Sequence, residues 1–116
     1  MAARPLPNYL RTHRKRWALS QKQLVHLLGF ETCSPVSKYE RNLTLPSLKT
    51  ALACELVFGE PARALFPGAY REVEEEVMRR ALVLYERVEH RSDLKGLRQH
   101  ELIMDMLARA TDQPNR

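Results

Sequence analysis

Residues 34–41 (SPVSKYER) combine hydroxyl and positively charged side chains at regular spacing. In a helix, the positions i, i+3, i+4 and i+7 share one side, and here they hold Ser34, Ser37, Lys38 and Arg41. Hydroxyls donate or accept hydrogen bonds, and the two cations donate several each. Val36 and Tyr39 fall on the other side and would face a core. The pattern predicts a short helix with a basic, polar binding face rather than a bond-breaking site.

Residues that usually support catalysis or metal binding show no comparable organisation. The four histidines are scattered, and none has a metal-ligand partner at helical spacing. No catalytic Ser/His/Asp or Ser-Lys arrangement and no Gly-rich phosphate loop is present. Cys33 and Cys54 fit neither a disulfide framework nor a metal site, so reduced thiols are expected. The sequence predicts a protein that is not an enzyme and uses no metal or cofactor.

Charge is divided unevenly along the 116 residues. Residues 1–50 contain nine Lys or Arg against two Glu, a net charge of +7, whereas residues 51–116 carry ten basic and twelve acidic residues, a net charge of −2. A basic half attracts a polyanion such as a nucleic acid. An anionic membrane surface is the alternative, but no basic stripe adjoins a sustained apolar face. With no signal-peptide or membrane-spanning run, a cytoplasmic location and no membrane partner are expected.

Helices are expected to position the polar face, because apolar residues recur at helical spacing and no strand pattern appears. Ser20, with Gln23 three residues later, predicts a capping box at the start of the helix before the polar face. Gly29 predicts a left-handed end of that helix. Ser34 is expected to cap the next helix, with Pro35 in its first turn.

The remaining segments also predict helices. Pro46-Ser47 should open a fourth helix, in which Leu48, Ala51, Leu52, Glu55 and Leu56 are spaced three and four residues apart. Pro61 should begin a short fifth helix that Pro67-Gly68 closes. Apolar stripes over residues 70–88 and 93–110 then predict two longer amphipathic helices.

The segment from Tyr9 to Phe66 resembles the phage repressor/Cro-type, or XRE-like, helix-turn-helix family, on the motifs LSQKQLVHLLGF and SPVSKYERNLTLPSLKTALACELVFGEPARALF. That family shows a Leu-Ser-Gln opening, a Leu-Gly end to its second helix, a Ser-x-x-Glu third helix, a Pro-Ser-Leu segment and a Leu-Phe close. The resemblance implies an all-α fold: a five-helix, lambda-repressor-like DNA-binding domain (1–68), then a two-helix C-terminal dimerisation segment (69–116).

The resemblance also implies roles for individual residues. The residues expected to read base edges are Thr32, Cys33, Ser34, Ser37 and Lys38. The residues expected to hold DNA phosphates are Ser20, Gln21, Arg41, Asn42 and Thr44. A structural ion pair is expected between Arg14 and Glu40.

Three departures from the family pattern bear on these roles. The turn from Gly29 to Ser34 is one residue longer than the commonest family pattern, so the base-reading register can differ by one position. Val25 stands where the family prefers Ala at a close helix contact. Asn42 replaces the usual glycine, which is compatible with a positive φ.

The apolar stripes of the last two helices predict self-association, because they exceed what a small core can cover. A homodimer is expected through Val73, Val77, Ala81, Leu84, Val88, Leu102 and Met106. Two recognition helices about one DNA turn (~34 Å) apart would then read a palindrome. The alternative is an intramolecular helical hairpin on a monomer.

Together these features predict a sequence-specific regulator of transcription, a repressor that binds a palindromic operator in double-stranded DNA in the bacterial cytosol and nucleoid. One alternative is an antitoxin that autoregulates its operon, with residues 69–116 binding a toxin; an antirepressor is a further possible protein partner. An alternative of another class is a protein-interaction adaptor that keeps the fold without DNA binding. The basic residues of the first half favour DNA.

Overall fold

The computed structural model describes residues 8–111, so the outer ends of both predicted segments lie outside the described residues. Its regular elements are the helices α1 (Leu10–Arg16), α2 (Gln21–Leu28), α3 (Ser34–Glu40), α4 (Leu48–Phe58), α5 (Ala62–Leu65), α6 (Pro67–Val88) and α7 (Leu94–Thr111). The prediction of an all-α protein is confirmed over this range. None of these helices combines the length and apolar character needed to cross a membrane. The chain forms two compact units, Met1–Arg71 and Glu72–Arg116.

Local sequence signals fix both ends of α2. Ser20 Oγ accepts a hydrogen bond from the Gln23 backbone N–H (3.0 Å), and Gln23 Oε1 accepts one from the Ser20 N–H (2.9 Å), so the predicted capping box is confirmed. Gly29 follows α2 with φ +82°. The next N–H, from Phe30, donates to the Val25 carbonyl (3.0 Å), which completes a Schellman motif. The predicted stop at Gly29 is therefore confirmed.

Two other helices end in the same way without glycine. Asn42, after α3, has φ +62°, and the following Leu43 N–H donates to the Lys38 carbonyl (2.9 Å). Ala18, after α1, has φ +57°. Asparagine tolerates the left-handed region better than most residues, so Asn42 replaces glycine as predicted. Alanine has no such compensation, and its conformation costs about 1–2 kcal/mol.

The core of the first unit draws on every helix from α1 to α5. Its buried residues are Leu10, Leu24, Val25, Val36, Tyr39, Cys54, Phe58, Leu65 and Phe66. Val36 and Tyr39 face this core as predicted, and Phe30 packs beside Tyr39 with ring centroids 6.2 Å apart. The polar side of α3 therefore lies opposite a packed interior.

The predicted fourth helix is confirmed as α4, and its spaced leucines do not face the core. Cys54 and Phe58 are buried, whereas Leu48, Leu52 and Leu56 lie on the outer side. The helix is apolar on nearly every side, so spacing alone could not tell which side would meet the core.

Two predicted helix boundaries are wrong. Cys33, not Ser34, is the residue before α3, and Ser34 is the first helical residue; Pro35 lies in the first turn as predicted. Pro67 and Gly68 do not close the fifth helix but belong to the first turn of α6. Proline fits that position because the first helical N–H groups have no partner within the helix.

The second unit is a pair of helices with a small interior. Ala81, Val88 and Ile103 are buried between α6 and α7, and the rings of Tyr85 and His100 lie 4.9 Å apart. The turn of residues 89–93 connects the two helices, and it ends at Asp93.

Asp93 organises the start of α7. Its Oδ1 accepts a hydrogen bond from the Gly96 N–H (3.3 Å), and Arg91 Nη2 donates to its Oδ2 (2.8 Å). The hydrogen bond from Arg91 holds the pKa of the Asp93 carboxyl below its ordinary value. The predicted break and restart of the chain at this position is confirmed.

Candidate functional site

The outer side of α3 carries the predicted polar face. Ser34 and Lys38 are exposed and Ser37 is half-buried, while Val36 and Tyr39 on the other side are buried. Lys38 projects an ammonium group, which donates hydrogen bonds and accepts none. The two serine hydroxyls can donate or accept. The face thus offers one fixed positive charge flanked by groups of adaptable polarity.

The remaining predicted base-reading residues lie in the turn before α3. Thr32 is exposed. Cys33 is half-buried and packs against the core of the first unit, so only part of its side chain faces solvent. Thr32 is therefore the more accessible of the two.

A buried ion pair fixes α3 to α1. Arg14 Nε donates to Glu40 Oε2 (2.7 Å) and Arg14 Nη2 donates to Glu40 Oε1 (3.1 Å), a side-on bidentate arrangement. The two side chains are only 9% and 3% exposed. Arg14 Nη1 also donates to the Leu19 carbonyl (2.8 Å), which ties down the link between α1 and α2. The predicted partners Arg14 and Glu40 are thus in direct contact.

The same carboxylate fixes the start of α2. Gln21 Nε2 donates to Glu40 Oε1 (3.1 Å), so the last residue of α3 is held to the first residue of α2. Gln21 was predicted to bind phosphate, but its side-chain N–H group is engaged within the protein. Ser20 Oγ accepts the capping hydrogen bond, and its hydroxyl proton can still be donated to an anion.

Asn8 also holds the C-terminal end of α3, a role that the sequence did not reveal. Its Nδ2 donates to the Tyr39 carbonyl (3.0 Å) and to Asn42 Oδ1 (2.5 Å), and its Oδ1 accepts from the Leu10 N–H (3.2 Å). The contacts to α3 span more than thirty residues, and no local pattern marks such a pair.

The surface around α3 is basic. Glu40 is neutralised by Arg14. Among the described residues before α4, the one exposed anion is Glu31, and the exposed cations are Arg11, Lys15, Arg16, Lys22, Lys38 and Arg41. Arg41, Asn42 and Thr44, predicted to bind phosphate, are all exposed at or just beyond the end of α3. The surroundings of the polar face would attract an anionic partner.

The thiols and histidines form no second site within the described range. No group of three or more His, Cys, Asp or Glu among residues 8–111 is arranged to hold a metal ion. Burial raises the pKa of the Cys54 thiol to about 11. Cys54 is therefore an unreactive core residue under ordinary conditions.

The residues predicted to form a dimer divide into two groups. Ala81 and Val88 are buried between α6 and α7, and Met106 packs against them. The others, Val73, Val77, Leu84 and Leu102, are exposed between 40% and 58%. This second group is the more accessible to another molecule.

No family model, curated protein or solved structure matches this chain. The resemblance to the XRE-like family therefore remains a prediction from the sequence. The geometry of α1–α3 is independent of that resemblance.

Proposed function

We propose that this protein is a sequence-specific DNA-binding regulator of transcription of the XRE-like type, which represses by occupying a palindromic operator as a homodimer. The observation that carries the proposal is the outward polar face of α3, backed by a packed core and held at its C-terminal end by Glu40 and Asn8. In this proposal residues 1–68 are the DNA-binding domain and residues 69–116 the dimerisation segment. Such a role belongs in the bacterial cytosol, with the nucleoid.

The size and chemistry of α3 suit the major groove. Seven residues make a rod about 10 Å long, and the groove is roughly 12 Å wide. Lys38 can donate to guanine O6 and N7, and Ser34 and Ser37 can accept or donate at other base edges. The side chains must be held still to discriminate between bases. The contacts that Glu40 and Asn8 make at the C-terminal end of α3, together with the packed core behind it, supply that restraint.

Phosphate contacts would flank this face. Arg41 and Thr44 are exposed after α3, and the Ser20 hydroxyl is exposed before α2. Because the Gln21 amide is bound to Glu40, we assign Gln21 a phosphate contact through its backbone N–H at the start of α2. Its side chain would act indirectly, by fixing α2 against α3.

Dimerisation would use one side of the α6–α7 pair. Helical spacing puts Val73, Val77 and Leu84 on one flank of α6, and Leu102 and Met106 on one flank of α7. The two helices are right-handed and run in opposite directions. The flank of α6 that carries Val77 and the flank of α7 that carries Leu102 therefore lie on the same side of the helix pair. A second copy would cover this side and turn two helices into a four-helix bundle. Occupancy of a promoter by the dimer would then exclude polymerase.

The decisive experiment compares two lysines on duplexes selected from a random pool. Lys38→Ala should cost about 1–3 kcal/mol on the selected site and relax base preference at one position. Lys49→Ala, an exposed lysine on α4, is the matched control and should change binding little. An equal loss on selected and random duplexes would make Lys38 a phosphate contact. Failure of the wild-type protein to prefer any selected duplex would refute the function.

A protein partner on the α6–α7 pair is the second candidate function, favoured by the exposed flank itself. An antitoxin that represses its own operon would present this flank to a toxin. Sedimentation of the purified chain distinguishes a homodimer from a toxin-binding antitoxin, because a homodimer covers the flank without any other protein. Leu84→Glu should then lower the mass of the assembly; an unchanged mass would remove the assigned dimer interface.

A further inference from the structure

A row of three leucines on α4 lies uncovered in the first unit. Leu48, Leu52 and Leu56 are 76%, 49% and 87% exposed, and we call this row the leucine ridge. Its members recur every four residues, so they follow one side of the helix for about 12 Å. The core lies on another side of α4, at Cys54 and Phe58.

The composition of α4 does not fit a helix with a solvated side. Eight of its eleven residues are apolar, and the polar ones are Lys49, Thr50 and Glu55. Helices that are apolar on nearly every side are normally buried on nearly every side. Single exposed leucines are common at protein surfaces, but a contiguous row marks an interaction site. We therefore expect another protein surface to cover the leucine ridge.

We propose that the leucine ridge is a self-association surface, on which two copies of this chain pack α4 against α4 about a two-fold axis. Residues spaced by four form the ridges that fit the grooves of an equivalent helix at about −50°, the commonest helix-packing class. A two-fold axis brings the same patch of both copies together. A single ridge can thus supply both halves of the interface.

The area is adequate for such an interface. The loop before α4 adds Leu43 and Leu45, which are also about 60% exposed. An exposed leucine side chain contributes roughly 100 Å² of apolar surface. The five side chains of each copy would therefore bury about 1,000 Å² when two copies pair symmetrically. That is close to the lower limit for a specific interface. The three ridge side chains are uncharged, so the centre of the contact buries no charged group.

This surface is separate from the α6–α7 flank, and the inference does not depend on DNA binding. A chain with two self-complementary surfaces can assemble beyond a dimer. If both surfaces act, the mass of the protein should rise above that of a dimer as its concentration increases.

Sedimentation equilibrium of the full chain tests the inference. Leu56→Glu, alone and with Leu52→Glu, should weaken self-association at least about tenfold, because each copy brings a carboxylate into the apolar contact. Leu27→Glu, an exposed leucine on α2 of the same unit, is the matched control and should leave the mass unchanged. Leu56 is almost fully exposed, so its variant should keep the wild-type helix content by circular dichroism.

The possible outcomes are distinct. Loss of mass in the ridge variants but not in Leu27→Glu supports the inference, with or without DNA binding. A wild-type mass that Leu84→Glu alone reduces to monomer, or a wild type that stays monomeric, overturns it. Ridge variants that unfold more easily without any change in mass would show that another segment of the same chain covers the ridge, which also overturns it.

Discussion

The two units differ in how they obtain a core. Five short helices of the first unit bring nine buried residues together. The second unit contains most of α6 and all of α7, the two longest helices at 22 and 18 residues, yet its described core consists of only three buried apolar residues. Helix length therefore does not measure how well an element is stabilised. What counts is how many elements meet, because a two-helix pair can bury only one side of each helix.

The two units also differ in how deeply their ion pairs are buried. The first unit holds a bidentate Arg14–Glu40 pair almost out of solvent. The second unit has solvent-exposed pairs, such as Arg80 with Glu76 at 4.0 Å. Exposed pairs contribute about 0–1 kcal/mol, whereas removing one partner of a buried pair leaves an uncompensated charge. The first unit is thus sensitive to single polar substitutions, and the second unit depends on apolar coverage.

The largest effect should come from Glu40→Ala. It leaves the Arg14 guanidinium buried without its carboxylate and releases Gln21, so we expect the free energy of unfolding of the first unit to fall by about 3–5 kcal/mol. Urea denaturation followed by tryptophan fluorescence measures it, because Trp17 is the only tryptophan.

Two further variants sharpen this result. Glu31→Ala, an exposed glutamate of the same unit, should change stability by less than about 0.5 kcal/mol. The double variant Arg14→Met, Glu40→Leu should recover much of the loss, because it removes both buried charges. A loss no larger in Glu40→Ala than in Glu31→Ala would contradict the contrast between buried and exposed pairs.

The arrangement of this network was only partly readable from the sequence. The Arg14–Glu40 pair follows from the family resemblance, not from periodicity. The capping box at Ser20 and the stop at Gly29 are local, and they could be predicted because the interacting groups lie within a few residues. The contacts of Asn8 with the end of α3 and of Gln21 with Glu40 join distant residues, so composition and spacing carry no record of them.

The second expected effect falls on the α6–α7 turn. A Cβ added at Gly96 would lie 2.5 Å from Arg91 Cβ and 2.8 Å from Asp93 Oδ1. Gly96→Ala should therefore destabilise the second unit by about 1–3 kcal/mol, although alanine normally favours a helix. Hydrogen exchange should accelerate in α6 beyond Glu72 and in α7, and leave α1–α5 unchanged.

An exposed position provides the control for that variant. Arg98→Ala, on α7, should leave exchange near wild type. Faster exchange in both units after Gly96→Ala would show that they do not open separately, and the comparison between them would fail.

Apolar patterning was a less reliable guide than capping. In α3 the buried residues Val36 and Tyr39 alternate clearly with polar ones, and their inward direction could be predicted. In α4 nearly every position is apolar, so the spacing of its residues did not mark Cys54 and Phe58 as the buried ones. Periodicity identifies a core-facing side only when the opposite side is polar. Where it is not, as in α4, the ambiguity itself indicates a helix with more than one neighbour.

The smallest effect should come from Ala18, whose left-handed conformation (φ +57°) is unfavourable for any residue with a Cβ. Ala18→Gly removes that cost but gives the unfolded chain more freedom, so we expect the first unit to gain at most about 1 kcal/mol. Asn42→Gly is the variant to compare with Ala18→Gly. It removes a similar φ cost but also loses the hydrogen bond that Asn42 Oδ1 accepts from Asn8, so the gain should vanish. Thermal unfolding of both variants measures the difference, and an equal gain in both would mean that the Asn8 contact does not hold the end of α3.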